Sequence, residues 1–375
     1  MRTLDIMRRI NRTNFRLDFC ALSGQSGDLD AEIAGLGGRV YPCSLTLAFP
    51  RNFCRLLREG RYDVVHSHVQ NFSGLILRLA RRAGVPVRMA HFRSTGSDKP
   101  RHLAYSAQTW VMRRLMNRSA THVFGNGEAS LAVGWSANWE ADSRCAVIHN
   151  GLDVNWSPSR STSQEVRSEF GWPDDCPVFI HVGRMVPVKN HLRVASIFRE
   201  VMRRLPEARM LFVGGGCRVT SEVLEAFCQE HQFMHRVALA GVRQDVPRLL
   251  AAADAMIFPS LWEGLPGAVL EACAMGTPVV ASELPGIVEI ASHFDSVRCV
   301  SLHEDDGHWS ETAIELCEAW RAPQARTEAQ RRFPASVYNI ELCAQAHALA
   351  WSGAAATEIR QFYSSWARHR EPSPC

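Results

Sequence analysis

The stretch DAMIFPSLWEGLPGAVLEACAMGTPVVAS, residues 254–282, decides the fold class. Its opening DAMIFPS is apolar on both faces, its closing TPVVAS is again β-branched, and AVLEACAMG between them has helix-forming composition. Gly276 ends that helix as a cap. A helix that carries the chain from one buried strand to the next makes a parallel crossover, and strands buried on both faces need helices on each side of their sheet. The turn LWEGLPG starts the helix at Pro266 or Gly267, leaving unpaired backbone N–H groups from about residue 265 to 268 beyond the strand end. An anion is the natural guest of such a terminus. Glu271 falls one turn into the helix, where its carboxylate can accept two hydrogen bonds from a vicinal diol such as a ribose. Glu263, in the turn, suits a hydroxyl-rich group beside the phosphate. Taken singly, each is equally well an ordinary solvated glutamate near a helix dipole.

The same alternation extends along the chain. Earlier runs are RLDFCAL (16–22), YDVVHSH (62–68), VPVRMA (85–90), THVFGN (121–126) and CAVIHNG (145–151); a second series begins with PVFIHVG (177–183), RMLFVGG (209–215) and RVALAG (236–241). Between the series, VNWSPSRSTSQEVRSEFGWPDDCP (154–177) is polar, rich in serine and proline and without a strand pattern, which marks a linker. The class is α/β, with two doubly wound parallel-sheet domains expected to face each other so that the carboxyl ends of their strands open into a shared cleft.

A length of 375 residues allows each domain its own core, and 46% hydrophobic with 21% charged residues excludes disordered and fibrous classes. No apolar run approaches a signal peptide or a membrane span, so the expected location is the cytoplasm. Twelve cysteines show no CxxC or Cys/His pair at ligand spacing, which favours buried reduced thiols over disulfides or zinc. The net charge of +4 hides an asymmetry: residues 1–165 carry +9 and the rest −5. A basic first half suits an anionic partner such as a membrane surface, and suits equally a plain arginine-rich surface. Lysine is scarce, with only Lys99 and Lys189 in the chain.

That scarcity draws attention to GRMVPVKNH (183–191), the loop after strand 177–183. Arg184 and Lys189 at the carboxyl end of a parallel strand can converge on a diphosphate, the arginine as a fork and the lysine as a point charge, with Gly183 letting the backbone approach. In isolation both would more simply point into water.

Together, GRMVPVKNH and the later PSLWEGLPGAVLEACAMGTPVVAS resemble the signature of glycosyltransferase family 4, the retaining family with the GT-B fold of two facing Rossmann-like domains. Glu263 and Glu271 match its E-x7-E motif in spacing and context; GVRQDVPRLLAAADAMIFPS (241–260) resembles the segment before it, and VIHNGLD (147–153) the end of the first domain. The resemblance implies an acceptor domain over 1–160, a donor domain over 161–335, and a helical tail over 336–375 that packs back across the domain interface. It implies transfer of a sugar from a nucleoside diphosphate sugar to a glycan or lipid-linked acceptor with retention, no cofactor, no metal and no nucleic acid partner. Arg184 and Lys189 would hold the diphosphate, Glu271 the ribose, Glu263 would lie near the transferred sugar, the turn Leu265, Pro266 and Gly267 would bind the donor with the backbone N–H groups around it contacting donor oxygens, and Arg243 would lie near the base. An excess of arginine would let the first domain rest on the cytoplasmic face of an anionic membrane.

In the first domain, RMAHFRSTGS (88–97) is similar to a segment many members carry, and makes His91 the candidate acid, base or hydrogen-bond donor with Arg93 beside it. VVHSHVQN (64–71) adds His66 and His68, which strand alternation is expected to send to opposite sides. FVGGGCR (212–218) suits a tight turn more than a phosphate cradle. One departure stands out: members begin with a strand and a glycine-rich loop, whereas MRTLDIMRRINRTNF (1–15) reads as the following helix, so the expectation is a chain truncated at its start. Rival functions are a sugar-nucleotide epimerase of the same fold and an inactive nucleotide-sugar-binding remnant.

Overall fold

The structure is a computed structural model and describes residues 2–95, 103–154, 162–320 and 322–368. It divides into two compact units, Met1–Asp153 with Val337–Cys375, and Val154–Ser336.

The first unit opens with α1 (Arg2–Arg9), β1 (Phe19–Ala21), α2 (Asp30–Gly35), β2 (Val40–Pro42), α3 (Phe49–Gly60) and β3 (Val64–Ser67). It continues through α4 (Ser73–Ala83), β4 (Val87–Phe92), α5 (Leu103–Ser119), β5 (His122–Gly125), α6 (Glu128–Gly134) and β6 (Cys145–Val147). Its parallel strands form two sheets, β1-β2 and β3-β4-β5-β6, and no strand among the described residues joins them. β1 therefore pairs with β2 alone and β3 with β4 alone.

The second unit holds α7 (Thr162–Glu169), β7 (Val178–Val182), α8 (His191–Arg204), β8 (Arg209–Val213), α9 (Arg218–Glu230), β9 (Val237–Leu239) and α10 (Val246–Ala252). After these come β10 (Ala255–Phe258), α11 (Gly267–Met275), β11 (Val279–Ser282), α12 (Pro285–Ala291), β12 (Val297–Val300), α13 (Asp306–Ala319) and α14 (Pro323–Arg332). One parallel sheet runs β12-β11-β10-β7-β8-β9. The chain enters at β7, steps outward to β9, then returns to lay β10 on the other side of β7. Loops after β7 and β10 thus flank the point where strand order reverses, the place where open α/β sheets bind ligands. The central strands are fully buried from Val178 through Val182 and from Ala255 through Phe258, and Phe179, Phe198, Phe212 and Trp309 fill the core on one face.

The tail, α15 (Ile340–Trp351) and α16 (Ala356–Arg368), belongs to the first unit. Ile340, Cys343, Ala346 and Ile359 bury against Ile6, Ile10, Met89, Phe124 and Ile148. The Arg360 guanidinium donates to the carbonyls of Glu140, Asp142 and Cys145. Gly151 admits the tail, since a Cβ there would stand 2.6 Å from the Ile340 Cα. The boundaries therefore fall after Asp153 and Ser336 rather than at 160 and 335.

Two strands lie outside the sequence expectation, β2 and β12, and both are edges. β2 ends in Pro42 and β12 carries the exposed Arg298, so neither has a two-faced apolar run. Part of the expected linker forms α7, which buries Thr162, Val166 and Arg167.

Candidate functional site

At the switch point of the second unit the loops interlock through their backbones. Gly183 N–H donates to the Val213 carbonyl at 2.9 Å, Met185 N–H to Gly215 at 2.9 Å, and Cys217 N–H to Met185 at 2.9 Å. Gly214 has φ +140°, and a Cβ there would stand 2.0 Å from the Gly183 oxygen, so the glycine run is a turn that lets two loops pass. On the other side Leu261 N–H donates to Val188 at 2.9 Å and the Asn190 amide to Pro259 at 3.1 Å, tying the β7 loop to the β10 loop.

Residues 74 apart in sequence meet here: Lys189 Nζ, in a short 3-10 turn, lies 2.5 Å from Glu263 Oε1 and 4.8 Å above the Phe258 ring. Both side chains are largely buried, at 16% and 14% exposure, so neither charge has water to replace the other. Arg184 is exposed; its carbonyl accepts from Val186 N–H at 2.7 Å, and its guanidinium has no ion pair among the described residues. The helix α11 starts at Gly267 with Pro266 as its cap residue in extended conformation, and Pro266 supplies no side-chain cap to its first N–H groups. Leu265 is buried beneath that turn, and Gly286 is what allows it, because a Cβ there would stand 1.5 Å from the Gly264 oxygen. Glu271 sits partly buried one turn along α11. A lysine, an exposed arginine and a helix start without a cap side chain around one strand end can hold a dianionic group.

Arg243 is engaged elsewhere. Its fork binds Asp245 at 2.8 and 2.9 Å and its remaining nitrogen meets Glu169 at 2.7 Å, which holds the Asp245 carboxyl well below its usual range. This pins the loop after β9 to α7, and free access of Arg243 to a ligand would need those pairs to open.

Sequence reasoning missed His181, at the end of β7 and fully buried between strands. Its Nδ1–H donates to the Ile257 carbonyl at 2.8 Å, the ring stacks on Phe258, and Nε2 has no partner among the described residues. Burial pushes its pKa down to about 3, and that of its neighbour His191 to about 4. The only sequence signal was a histidine two residues before Gly183 in an otherwise apolar strand.

In the first unit the structure gathers His66, His68 and His91 with two residues from the tail, His347 and Trp351. His66 and His68 do not part: their ring centroids are 4.2 Å apart, because residues two apart in an extended segment share a face. One ring nitrogen of each of the three histidines lies within 4.8 Å of the others, a spacing open to a metal ion. The hydrogen bonds argue otherwise. Trp351 Nε1–H donates to His66 Nδ1 at 3.1 Å and Arg93 Nε–H to His68 Nδ1 at 3.1 Å. Both partners are donors only, so each Nδ1 is an acceptor, and in a neutral ring the proton then sits on Nε2 and blocks it as a ligand. Burial, with Arg93 and the neighbouring rings adding repulsion, holds His66, His68 and His91 well below the usual histidine range. Arg93 also reaches Asn150 Oδ1 at 3.4 Å.

The family described as Glycosyl transferases group 1 matches residues 176–318, and the Glycosyl transferase 4-like domain matches residues 1–151. The chain belongs to glycosyltransferase family 4. It is a glycosyltransferase with the GT-B fold. It is 28% identical to EpsF of Bacillus subtilis over 327 residues, covering 85% of this chain and 84% of that one. It is 28% identical to the Escherichia coli UDP-Gal:alpha-D-GlcNAc-diphosphoundecaprenol alpha-1,3-galactosyltransferase, covering 62% of this chain and 60% of that enzyme. Among solved structures, Anabaena Alr3699/HepE in complex with UDP superposes with a TM-score of 0.75 at 20% identity, covering 90% of this chain and all of that one. No helix among the described residues is long and apolar enough to cross a membrane.

Proposed function

We propose that this family 4 glycosyltransferase moves a hexose-type unit from a nucleoside diphosphate sugar to a glycan or lipid-linked acceptor in polysaccharide or glycolipid biosynthesis, retaining the anomeric configuration and using no metal. The observation that carries the reading is the meeting of Lys189 and Glu263 beside the start of α11 at the switch point. A donor diphosphate would take over Lys189, recruit Arg184 from solvent and seat its oxygens on the N–H groups of Leu265 and Gly267, either side of Pro266. Glu271 would clamp the ribose and Glu263, released from the lysine, would face the sugar; Arg243 would border the base once freed from its carboxylates. Lysine and arginine would then carry the leaving-group charge that a divalent ion carries elsewhere. Support comes from a relative named for UDP-galactose transfer to a diphosphoundecaprenol-linked sugar and from a fold neighbour solved with UDP.

The first unit would hold the acceptor, with His91, His68 and Arg93 toward it, and would rest on an anionic membrane at the cytoplasmic face. Purified protein incubated with UDP-, GDP- and ADP-sugars in EDTA, with and without lipid-linked acceptor, tests this by nucleoside diphosphate release. Acceptor-dependent release of one diphosphate in EDTA supports the reading. An isomerised nucleotide sugar without release would overturn it in favour of an epimerase.

A further inference from the structure

Three rings in the first unit form a chain of hydrogen bonds with a defined direction. It begins at an atom that can only donate: the indole Nε1–H of Trp351, 3.1 Å from His66 Nδ1. His66 Nδ1 is therefore an acceptor. In the neutral ring the proton is on Nε2, and that nitrogen lies 3.1 Å from His91 Nδ1. His91 Nδ1 in turn accepts, which leaves the His91 proton on its own Nε2. That nitrogen is buried and has no partner among the described residues. A buried N–H without an acceptor is costly, and His91 stands one residue before the end of β4, on the strand edge where ligands enter such sheets.

We propose that Trp351, acting through His66, holds His91 in the Nε2–H form, so that His91 offers a hydrogen-bond donor to an oxygen of the bound sugar and is barred from acting as a base. Trp351 and His66 are then positioning residues for a reaction they do not touch. His347 stands apart from this relay: it spends its Nδ1–H on the Cys343 carbonyl at 2.8 Å within α15. The sugar oxygen as recipient rests on the glycosyltransferase reading above; the tautomer does not.

The test is ring nitrogen NMR on the full chain labelled with 15N-histidine, which reports each tautomer directly. In the parent protein His91 and His66 should both appear as Nε2–H rings. Trp351→Phe keeps an aromatic ring but removes the donor, and should release His66 and His91 into mixed tautomers. His66→Gln, which can accept and donate in the same order, should keep His91 as Nε2–H, whereas His66→Leu should not. If Trp351→Phe fails to fold, the two His66 variants carry the test. With donor and acceptor present, Trp351→Phe should lower kcat/KM roughly tenfold, as expected for one weakened neutral hydrogen bond, with His66→Gln less affected than His66→Leu. An Nδ1–H form of His91 in the parent, or an unchanged spectrum in both Trp351→Phe and His66→Leu, would overturn the proposal even in a fully active enzyme. A correct spectrum with no transfer activity would instead count against the function assigned above.

Discussion

Lys189 and Glu263 show how one residue's environment is set by another far along the chain. Each largely buried charge faces its partner, and removing either takes away the opposite charge that offsets the other's burial. Lys189→Ala should weaken nucleoside diphosphate binding about 10- to 100-fold, the range for a charge-assisted hydrogen bond, as read by calorimetry. Glu271→Ala should weaken it by roughly tenfold with nucleotide but leave binding of inorganic diphosphate unchanged, because only the ribose contact is lost. Unchanged affinity in both variants would remove the donor site from this loop pair. The two glutamates were legible in sequence, since a strand, a turn and a helix start are local patterns. His181 was not, because nothing in an apolar strand says which residue ends up between β7 and β10 with a nitrogen unpaired. The pairing of His66 with Trp351, 285 positions away, has no sequence signature at all.

At the scale of elements, the turn before α11 is shaped by what packs behind it. Gly286 in α12 lets the Gly264 carbonyl lie where a Cβ would be, at 1.5 Å. Gly286→Ala must push backbone against backbone, at a cost of about 1–3 kcal/mol typical of an overpacked core. A thermal melt should show a lower midpoint, and donor binding should fall even though Gly286 lies outside the loop that faces the donor. The strands with a continuous apolar run were readable in both units, whereas β2 and β12 were not, because β2 ends in Pro42 and β12 carries the exposed Arg298, so neither has such a run. The α7 helix was hidden in a polar stretch because what stabilises it is docking: Arg167 bonds to the Cys176 carbonyl and to Asp254.

At the scale of the whole molecule, two properties follow from how side chains are distributed. Buried histidines are neutral in both units: His181 with a pKa of about 3, His191 and His347 at about 4. Their folded values lie below the unfolded value of about 6.5, so the unfolded chain binds more protons in acid and stability rises with pH across that window. Stability should be level above pH 7 and fall between about pH 6.5 and 4, each such histidine contributing up to about 1.4 kcal/mol per pH unit. Urea midpoints that do not move between pH 7.5 and 5 would contradict this.

The second property is charge. Helices α3, α4 and α5 carry Arg51, Arg55, Arg58, Arg78, Arg81, Arg82, Arg113, Arg114 and Arg118 against the single acid Glu59. Trp110 stands 63% exposed on α5, and Arg114 lies over its ring. The protein should co-sediment with vesicles containing anionic lipid, be released as salt is raised, and ignore neutral vesicles. Replacing Arg51, Arg55 and Arg78 with glutamine should reduce that binding, and binding indifferent to lipid charge would count against a membrane-facing role.

By itself the sequence determined the α/β class, the helix start after Ser260 and the residue types that suit a donor, because each depends on backbone preferences and burial patterns within some twenty neighbours. The tertiary structure alone decided which loops share a site. The order β12-β11-β10-β7-β8-β9 departs from chain order, and it is this reversal that sets Lys189 beside Glu263. It also decided that the tail completes the first unit, so that Trp351 reaches His66: side-chain packing, unlike local conformation, is settled between segments with no memory of their separation along the chain.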